Sequence, residues 1–115
     1  MNDISYKEHI SLLVHEFYGK VLKDEQLSPF FKDLDFDVHM PKMIHFWSFT
    51  LLNEPGYTTN VVEKHVHMPL KDVHFERWLN LFNETIDEHF SGEIASQAKQ
   101  RAQLIGLTIK SKIQQ

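Results

Sequence analysis

The side chains best suited to chemistry in this 115-residue sequence are its histidines, of which there are eight. Neutral imidazole is a strong nitrogen ligand for iron, copper and zinc. The chain has no cysteine, which excludes disulfides, thiolate nucleophiles, cysteine-held zinc and iron–sulfur clusters. Any metal chemistry must therefore use histidine, carboxylates or a bound cofactor. The histidines stand at positions 9, 15, 39, 45, 65, 67, 74 and 89.

The spacing of the histidines argues against the common metal-site motifs. Di-iron helical bundles use Glu-x-x-His, and no histidine here has an acidic residue three positions before it. The zinc-hydrolase motif His-Glu-x-x-His is also absent. His65 and His67 could clip a metal, but no acidic residue or further histidine closely follows them to complete a zinc site. What remains is a ligand that needs one protein nitrogen and a large apolar enclosure, and haem meets that description.

The first half of the chain contains two stretches with helical spacing of apolar residues. One follows a capping box formed by Ser5 and Glu8 and continues to the polar residues at 23–26. The other follows Asp37 as a cap, with Pro41 tolerated in its first turn, and ends near Asn53. Between them, Ser28-Pro29-Phe30-Phe31 predicts a short turn of helix that presses into the core.

The second half contains two further helical stretches after an irregular segment at 54–72. That segment has room for only a short helix from Val61 to His65. We expect Asp72 to cap the next helix and Ser91-Gly92 to end it. The last helix has the clearest period, which predicts a buried stripe composed of Ile94, Ala98, Ala102, Ile105, Ile109 and Ile113.

Composition indicates one domain over residues 1–115, with 42% hydrophobic and 24% charged residues. Nine Phe, three Tyr and two Trp are a large supply of bulky side chains for so short a chain. The formal charge of -4, without a basic run, argues against nucleic acid. No stretch approaches the length of a membrane helix, so we expect a cytoplasmic protein without a membrane partner.

Five motifs in order carry a resemblance to a known family. From about residue 10 to the end, the chain resembles group III truncated haemoglobins, bacterial globins with a shortened helical fold. Its four glycines are isolated, whereas the other truncated-globin groups have paired glycines. The resemblance implies an all-α, truncated globin-like helical sandwich that encloses haem b. The motifs are Phe17-Tyr18, Ser28-Pro29-Phe30-Phe31, Phe46-Trp47, Glu63-Lys64-His65 with Met68-Pro69, and Phe75-Glu76-Arg77-Trp78-Leu79.

The resemblance also assigns roles to individual residues. His65 is implied as the proximal iron ligand, and Tyr18, His39 and Trp78 as the residues that face the bound ligand. His39 could instead face solvent, and Trp78 could serve only as core packing. The other histidines are interpreted as surface residues or as neighbours of the site. The implied haem contacts are Phe31, Met43, Phe46, Leu79 and Phe82.

The function implied is binding of oxygen, nitric oxide and carbon monoxide, with peroxide and cyanide as further candidate ligands. Two hydrogen-bond donors would slow oxygen release, which favours redox chemistry over oxygen delivery. No flavin or nicotinamide fingerprint is present, so electrons must come from a separate reductase. Two alternatives remain open at this stage: a haem-based gas sensor that acts through a partner, and a haem-free helical interaction module.

Overall fold

The computed structural model describes residues 1–57 and 68–113, and in these ranges the regular structure is helical throughout. Four α-helices are present: α1 (Lys7–Val21), α2 (Phe36–Leu52), α3 (Asp72–His89) and α4 (Glu93–Ile113). A 3-10 turn at Ser28–Phe30 lies between α1 and α2. The all-α class is therefore confirmed. The short helix predicted at Val61 to His65 lies outside the described residues.

The first helix buries the stripe that its spacing predicts, but its cap differs from the expected one. Glu8 does not close the helix start. Instead, the His9 Nδ1 atom accepts hydrogen bonds from the backbone N–H groups of Ser5 (2.9 Å) and Tyr6 (3.3 Å). A histidine at the third helical position thus replaces the glutamate of a capping box. The buried residues of α1 are Ile10, Leu13, Val14, Phe17, Tyr18 and Val21.

The second helix starts two residues earlier than Asp37 would place it. Asp35 is the cap, and its carboxylate accepts from the Asp37 N–H at 3.1 Å. Pro41 therefore lies in the second turn, where its missing N–H leaves the Asp37 carbonyl without its helical donor. At the other end, Asn53 adopts the left-handed conformation (φ 61°), which ends α2 as expected.

The start of α3 repeats the arrangement found in α1. Helix α3 begins at Asp72, so this residue lies in the first turn and the predicted Asp72 cap is wrong. The His74 Nδ1 atom accepts from the Lys71 N–H at 2.8 Å. The break at Ser91 and Gly92 is confirmed, and α4 begins directly after it. The capping residues therefore differ from the predicted ones, whereas the helices lie where the periodicity of apolar residues predicts them.

The helices form two packed layers around one core. Helix α1 packs against α2 and α3, α3 packs against α4, and α2 also contacts α4. Phe82 of α3 is 1% exposed and lies in this core. Its ring meets the Phe17 ring edge to face, with ring centroids 5.2 Å apart. Within the described ranges, none of the helices has the length and apolar character needed to cross a membrane.

Candidate functional site

An apolar pocket of about 730 Å³, including the part open to solvent, lies between the helices. Five of the side chains assigned to the site from sequence line it: Tyr18 from α1, Phe31 after the 3-10 turn, Met43 and Phe46 from α2, and Trp78 from α3. The structure thus brings together residues that are up to 60 positions apart in sequence.

Other parts of the chain complete the walls of this pocket. Leu27 and Phe30 come from the turn that follows α1, and Trp47 comes from α2. The sequence does contain a signal for the residues contributed by α4, because Ile105 and Ile109 belong to the predicted apolar stripe of that helix. The remaining lining residues are Gly106 of α4 and, around the start of α3, Met68, Leu70, His74 and Phe75.

His74 is the lining residue that differs most from its sequence interpretation as a surface residue or site neighbour. It stands four positions before Trp78, so helical geometry puts both residues on one face of α3. That spacing was the available signal, and it was missed because His74 occurs at a helix start, where side chains are commonly exposed. In the structure its ring meets Phe30 edge to face, with ring centroids 4.8 Å apart.

Tyr18 brings a hydroxyl group into the otherwise apolar pocket. Its side chain is 5% exposed, and its ring is held edge-on by Phe31 (5.7 Å between centroids) and Phe36 (5.8 Å). Burial raises the pKa of Tyr18 well above its ordinary value of 10. The hydroxyl group is therefore protonated across the physiological pH range and can act as a hydrogen-bond donor.

Trp78 is held in place by an aromatic stack rather than by polar contacts. The Phe82 ring stacks on the Trp78 ring, with 5.8 Å between ring centroids. It also stacks on the Trp47 ring, with 4.9 Å between centroids. Phe17 meets the Trp78 ring edge to face at 5.8 Å. Phe82 is itself in the core and is not a lining residue of the pocket, so its contact with the site is indirect, through the two tryptophans and through Phe17.

His39 and Leu79 occupy positions beside the pocket. The His39 ring meets the Tyr18 ring at 6.3 Å, edge to face, from the first turns of α2. Leu79 lines a different groove, between α3 and α4, which Trp78 separates from the main pocket. Tyr18 also borders a second, more open groove between α1 and α2, next to Gly19 and Met40.

His65, the residue assigned to the iron, lies outside the described residues. The described residues next to the segment that contains it lie near the pocket. On one side, the Tyr57 ring packs against Phe46, a lining residue, with ring centroids 5.3 Å apart. On the other side, Met68 itself lines the pocket wall.

The chemistry of these walls suits a large apolar group that carries a polar reactive centre. Aliphatic and aromatic side chains form most of the surface, and the Tyr18 hydroxyl is a donor that burial keeps protonated. Among the described residues, no cluster of three His, Asp or Glu side chains could hold a bare metal ion. The apolar walls with the buried Tyr18 hydroxyl group fit haem.

Comparison with known proteins gives a consistent result. The family model described as Bacterial-like globin matches residues 2–108. The group 3 truncated haemoglobin ctb of Campylobacter jejuni is 35% identical over 106 residues, which are 86% of this chain and 84% of that protein. The crystal structure of a group III truncated haemoglobin from Campylobacter jejuni matches with a TM-score of 0.88 and 31% identity, over 98% of this chain and 95% of that chain.

A more distant structure supports the fold alone. The 2/2 haemoglobin of Synechococcus sp. PCC 7002, solved in the cyanomet state with covalently attached haem, is 20% identical and has a TM-score of 0.75. The match covers 95% of this chain and 93% of that chain. The helix arrangement is therefore retained at low sequence identity.

Proposed function

The chain belongs to the bacterial-like globin family, with the truncated-globin fold and haem as its cofactor, and from this premise we propose that His65 holds the iron while Tyr18 and Trp78 face the bound ligand. Haem, when bound, supplies an iron that takes diatomic ligands such as oxygen. Family membership rules out the haem-free helical module. Met68 supports the assignment of His65, since it lines the pocket and directly follows the segment that contains His65.

The observation that carries the proposal is the buried Tyr18 hydroxyl group. A donor of this kind stabilises negative charge that develops on a ligand in a pocket of low dielectric constant. Hydrogen bonds to charged acceptors contribute about 1.5 to 3 kcal/mol each. The indole N–H of Trp78 can only donate, so it would act in the same direction. His39, whose ring meets that of Tyr18, would gate this side of the pocket or add a further donor.

A protein that releases bound oxygen slowly is better suited to convert the oxygen chemically than to deliver it. We propose that the protein combines oxygen with nitric oxide to form nitrate, and that one electron per turnover comes from a separate one-electron reductase. Peroxide cleavage commonly uses an arginine near the bound ligand. The positions of the two arginines of this chain therefore favour the reaction with nitric oxide. Arg77 is engaged by Asp24, and Arg101 lies by a groove between α2 and α4. Carbon monoxide and cyanide would occupy the pocket as inhibitors.

The cytoplasmic location expected from the sequence stays a prediction.

Reconstitution with haem tests the ligand assignment. Adding haem to the purified apoprotein should give a sharp absorption band in the Soret region, at one haem per chain. The band should be lost or strongly altered in His65→Ala and unchanged in His67→Ala, which is the matched control two residues away. A normal spectrum in His65→Ala would exclude residue 65 as the iron ligand.

The proposed reaction needs its own test. With oxygen and an artificial electron donor, the reconstituted protein should consume nitric oxide and release nitrate in equal amounts. Fast oxygen release together with no nitric oxide consumption would contradict the proposal and favour simple oxygen carriage.

A further inference from the structure

His74 carries a hydrogen-bond donor at the pocket wall that no role discussed so far uses. The Nδ1 atom accepts a hydrogen bond from the Lys71 N–H at 2.8 Å. A backbone N–H can only donate, so Nδ1 must keep its lone pair, and the ring proton must be on Nε2. Within residues 1–57 and 68–113, no acceptor is recorded for this Nε2–H, although the side chain is half-buried and lines the pocket.

The same hydrogen bond decides what His74 cannot do. An imidazole binds iron through an unprotonated nitrogen. In His74 one nitrogen is used by the helix cap, and the other carries the proton. Iron binding by His74 would therefore break the cap of α3. The position and chemistry of this residue fit a hydrogen-bond acceptor of the cofactor instead of its metal.

We propose that the Nε2–H of His74 donates a hydrogen bond to a carboxylate of the haem at the edge of the pocket. This inference rests on the proposed function. Haem is an apolar ring with two propionate carboxylates, and the apolar walls would take the ring while the carboxylates need donors. A hydrogen bond from N–H to a carboxylate is charge-assisted and stronger than a neutral one. Contact with Phe30 at 4.8 Å holds the imidazole ring against the wall.

This contact would connect cofactor binding to the start of α3. His74 uses one nitrogen to cap the helix and the other to hold the cofactor, and Trp78 follows one turn later on the same face. Loss of the cofactor contact would therefore release the haem edge at the start of the helix that carries Trp78, while the cap on Nδ1 stays in place.

The experiment separates the cap from the cofactor contact by using His74→Glu. A glutamate at the third helical position can accept from the Lys71 N–H as in a capping box, so the urea midpoint of the apoprotein should be unchanged. The variant removes the donor and adds a charge that repels a carboxylate. His9→Glu is the matched control, because His9 caps α1 in the same way but does not line the pocket.

Each protein is loaded with iron protoporphyrin IX or with its dimethyl ester, and cofactor loss to an excess of a scavenging apoprotein is timed. His74→Glu should accelerate loss of the free-acid form about tenfold or more relative to wild type and leave loss of the diester nearly unchanged. His9→Glu should change neither rate.

The possible outcomes distinguish this inference from the proposed function. Equal acceleration for both porphyrins, or no acceleration for either, would overturn the carboxylate contact while leaving haem binding intact. Failure of the wild-type apoprotein to take up haem would overturn the proposed function and this inference with it.

Discussion

At the scale of single residues, one hydroxyl group decides the chemistry of the pocket. Tyr18 lies among rings that fix its orientation, and burial keeps its pKa above the ordinary value of 10, so the proton stays in place. The sequence identified this residue through the Phe17-Tyr18 motif. The surroundings that raise the pKa of this hydroxyl group further above the physiological range follow only from the fold.

Replacement of Tyr18 by phenylalanine removes the hydroxyl group and keeps the ring. We expect the oxygen dissociation rate of the reconstituted ferrous protein to rise about 10- to 100-fold, because a donor worth about 1.5 to 3 kcal/mol is lost. Stopped-flow mixing measures this rate.

In the wild type the oxygen dissociation rate should be constant up to about pH 9, because the raised pKa keeps Tyr18 protonated there. Tyr6→Phe, which removes an exposed hydroxyl group, is the control; equal rates in all three proteins would contradict the role of Tyr18.

At the scale of elements, an ion pair between a buried carboxylate and a partly exposed guanidinium group joins the turn after α1 to α3. The Asp24 carboxylate accepts from the backbone N–H groups of Gln26 (2.9 Å) and Leu27 (3.2 Å) through Oδ1. Its Oδ2 atom accepts from Nε (2.8 Å) and Nη2 of Arg77. Burial raises the pKa of Asp24, but the hydrogen bonds from Arg77, Gln26 and Leu27 outweigh it, and the pKa lies below its ordinary value of 3.8. The pair thus fixes the turn that contributes Leu27 next to the helix that carries Trp78.

Loss of this carboxylate should destabilise the fold. Asp24→Ala is expected to lower the free energy of unfolding by about 2 to 3 kcal/mol, since breaking a buried pair is costly but the Arg77 side chain is 45% exposed and can rehydrate. Urea unfolding measures the change. Asp87→Ala is the control, because the Asp87 side chain is 62% exposed in its pair with Lys99, and its loss should cost below about 1 kcal/mol.

The ion pair also predicts a dependence on pH. Because the folded pKa of Asp24 is below the unfolded one, its stabilisation is fully present above pH 3.8 and is lost as the pH falls through the folded pKa. The difference in stability between wild type and Asp24→Asn should therefore be constant near neutrality and shrink in acid. A difference that grows as the pH falls would show that the sign of the pKa shift is wrong.

At the scale of the whole molecule, the first residues of the chain close the start of the last helix. The Asp3 carboxylate accepts from the backbone N–H groups of Ile94 (2.9 Å) and Ala95 (2.8 Å). Gly92, directly before α4, has φ 137° and no side chain, and a Cβ there would come within 2.5 Å of the Asp3 side chain. Asp3 thus supplies the capping carboxylate that Gly92 lacks. Ile4, 1% exposed, anchors the segment in the core.

Both partners of this contact can be tested by thermal unfolding. Asp3→Ala should lower stability by about 1 to 2 kcal/mol through loss of the cap. Gly92→Ala should cost more than about 1 kcal/mol, because alanine rarely adopts the positive φ and its methyl group meets Asp3. Ser96→Ala, which removes an exposed hydroxyl group from α4 itself, is the control. Unchanged melting temperatures in the first two variants would show that the N-terminal segment does not cap α4.

Local patterns along the chain were sufficient to predict the helical class, the approximate position of each described helix and most of the aromatic side chains around the pocket. These features depend on the spacing of apolar residues along one helix and on local motifs. Tyr18 and Trp78 belong to local motifs of this kind, and both line the pocket.

Which partners the faces of each helix meet depends on tertiary packing, which local patterns do not report. Periodicity marks a residue as inward-facing but does not say whether a pocket or another helix lies opposite, so Phe46 lines the pocket whereas Phe82 is in the core. The carboxylates of Asp3 and Asp24 act across 91 and 53 positions of chain, and no local pattern reports such a contact. These distant groups come within hydrogen-bond distance only when the chain folds. Folding also makes His74, which was expected on the surface or beside the site, part of the pocket wall.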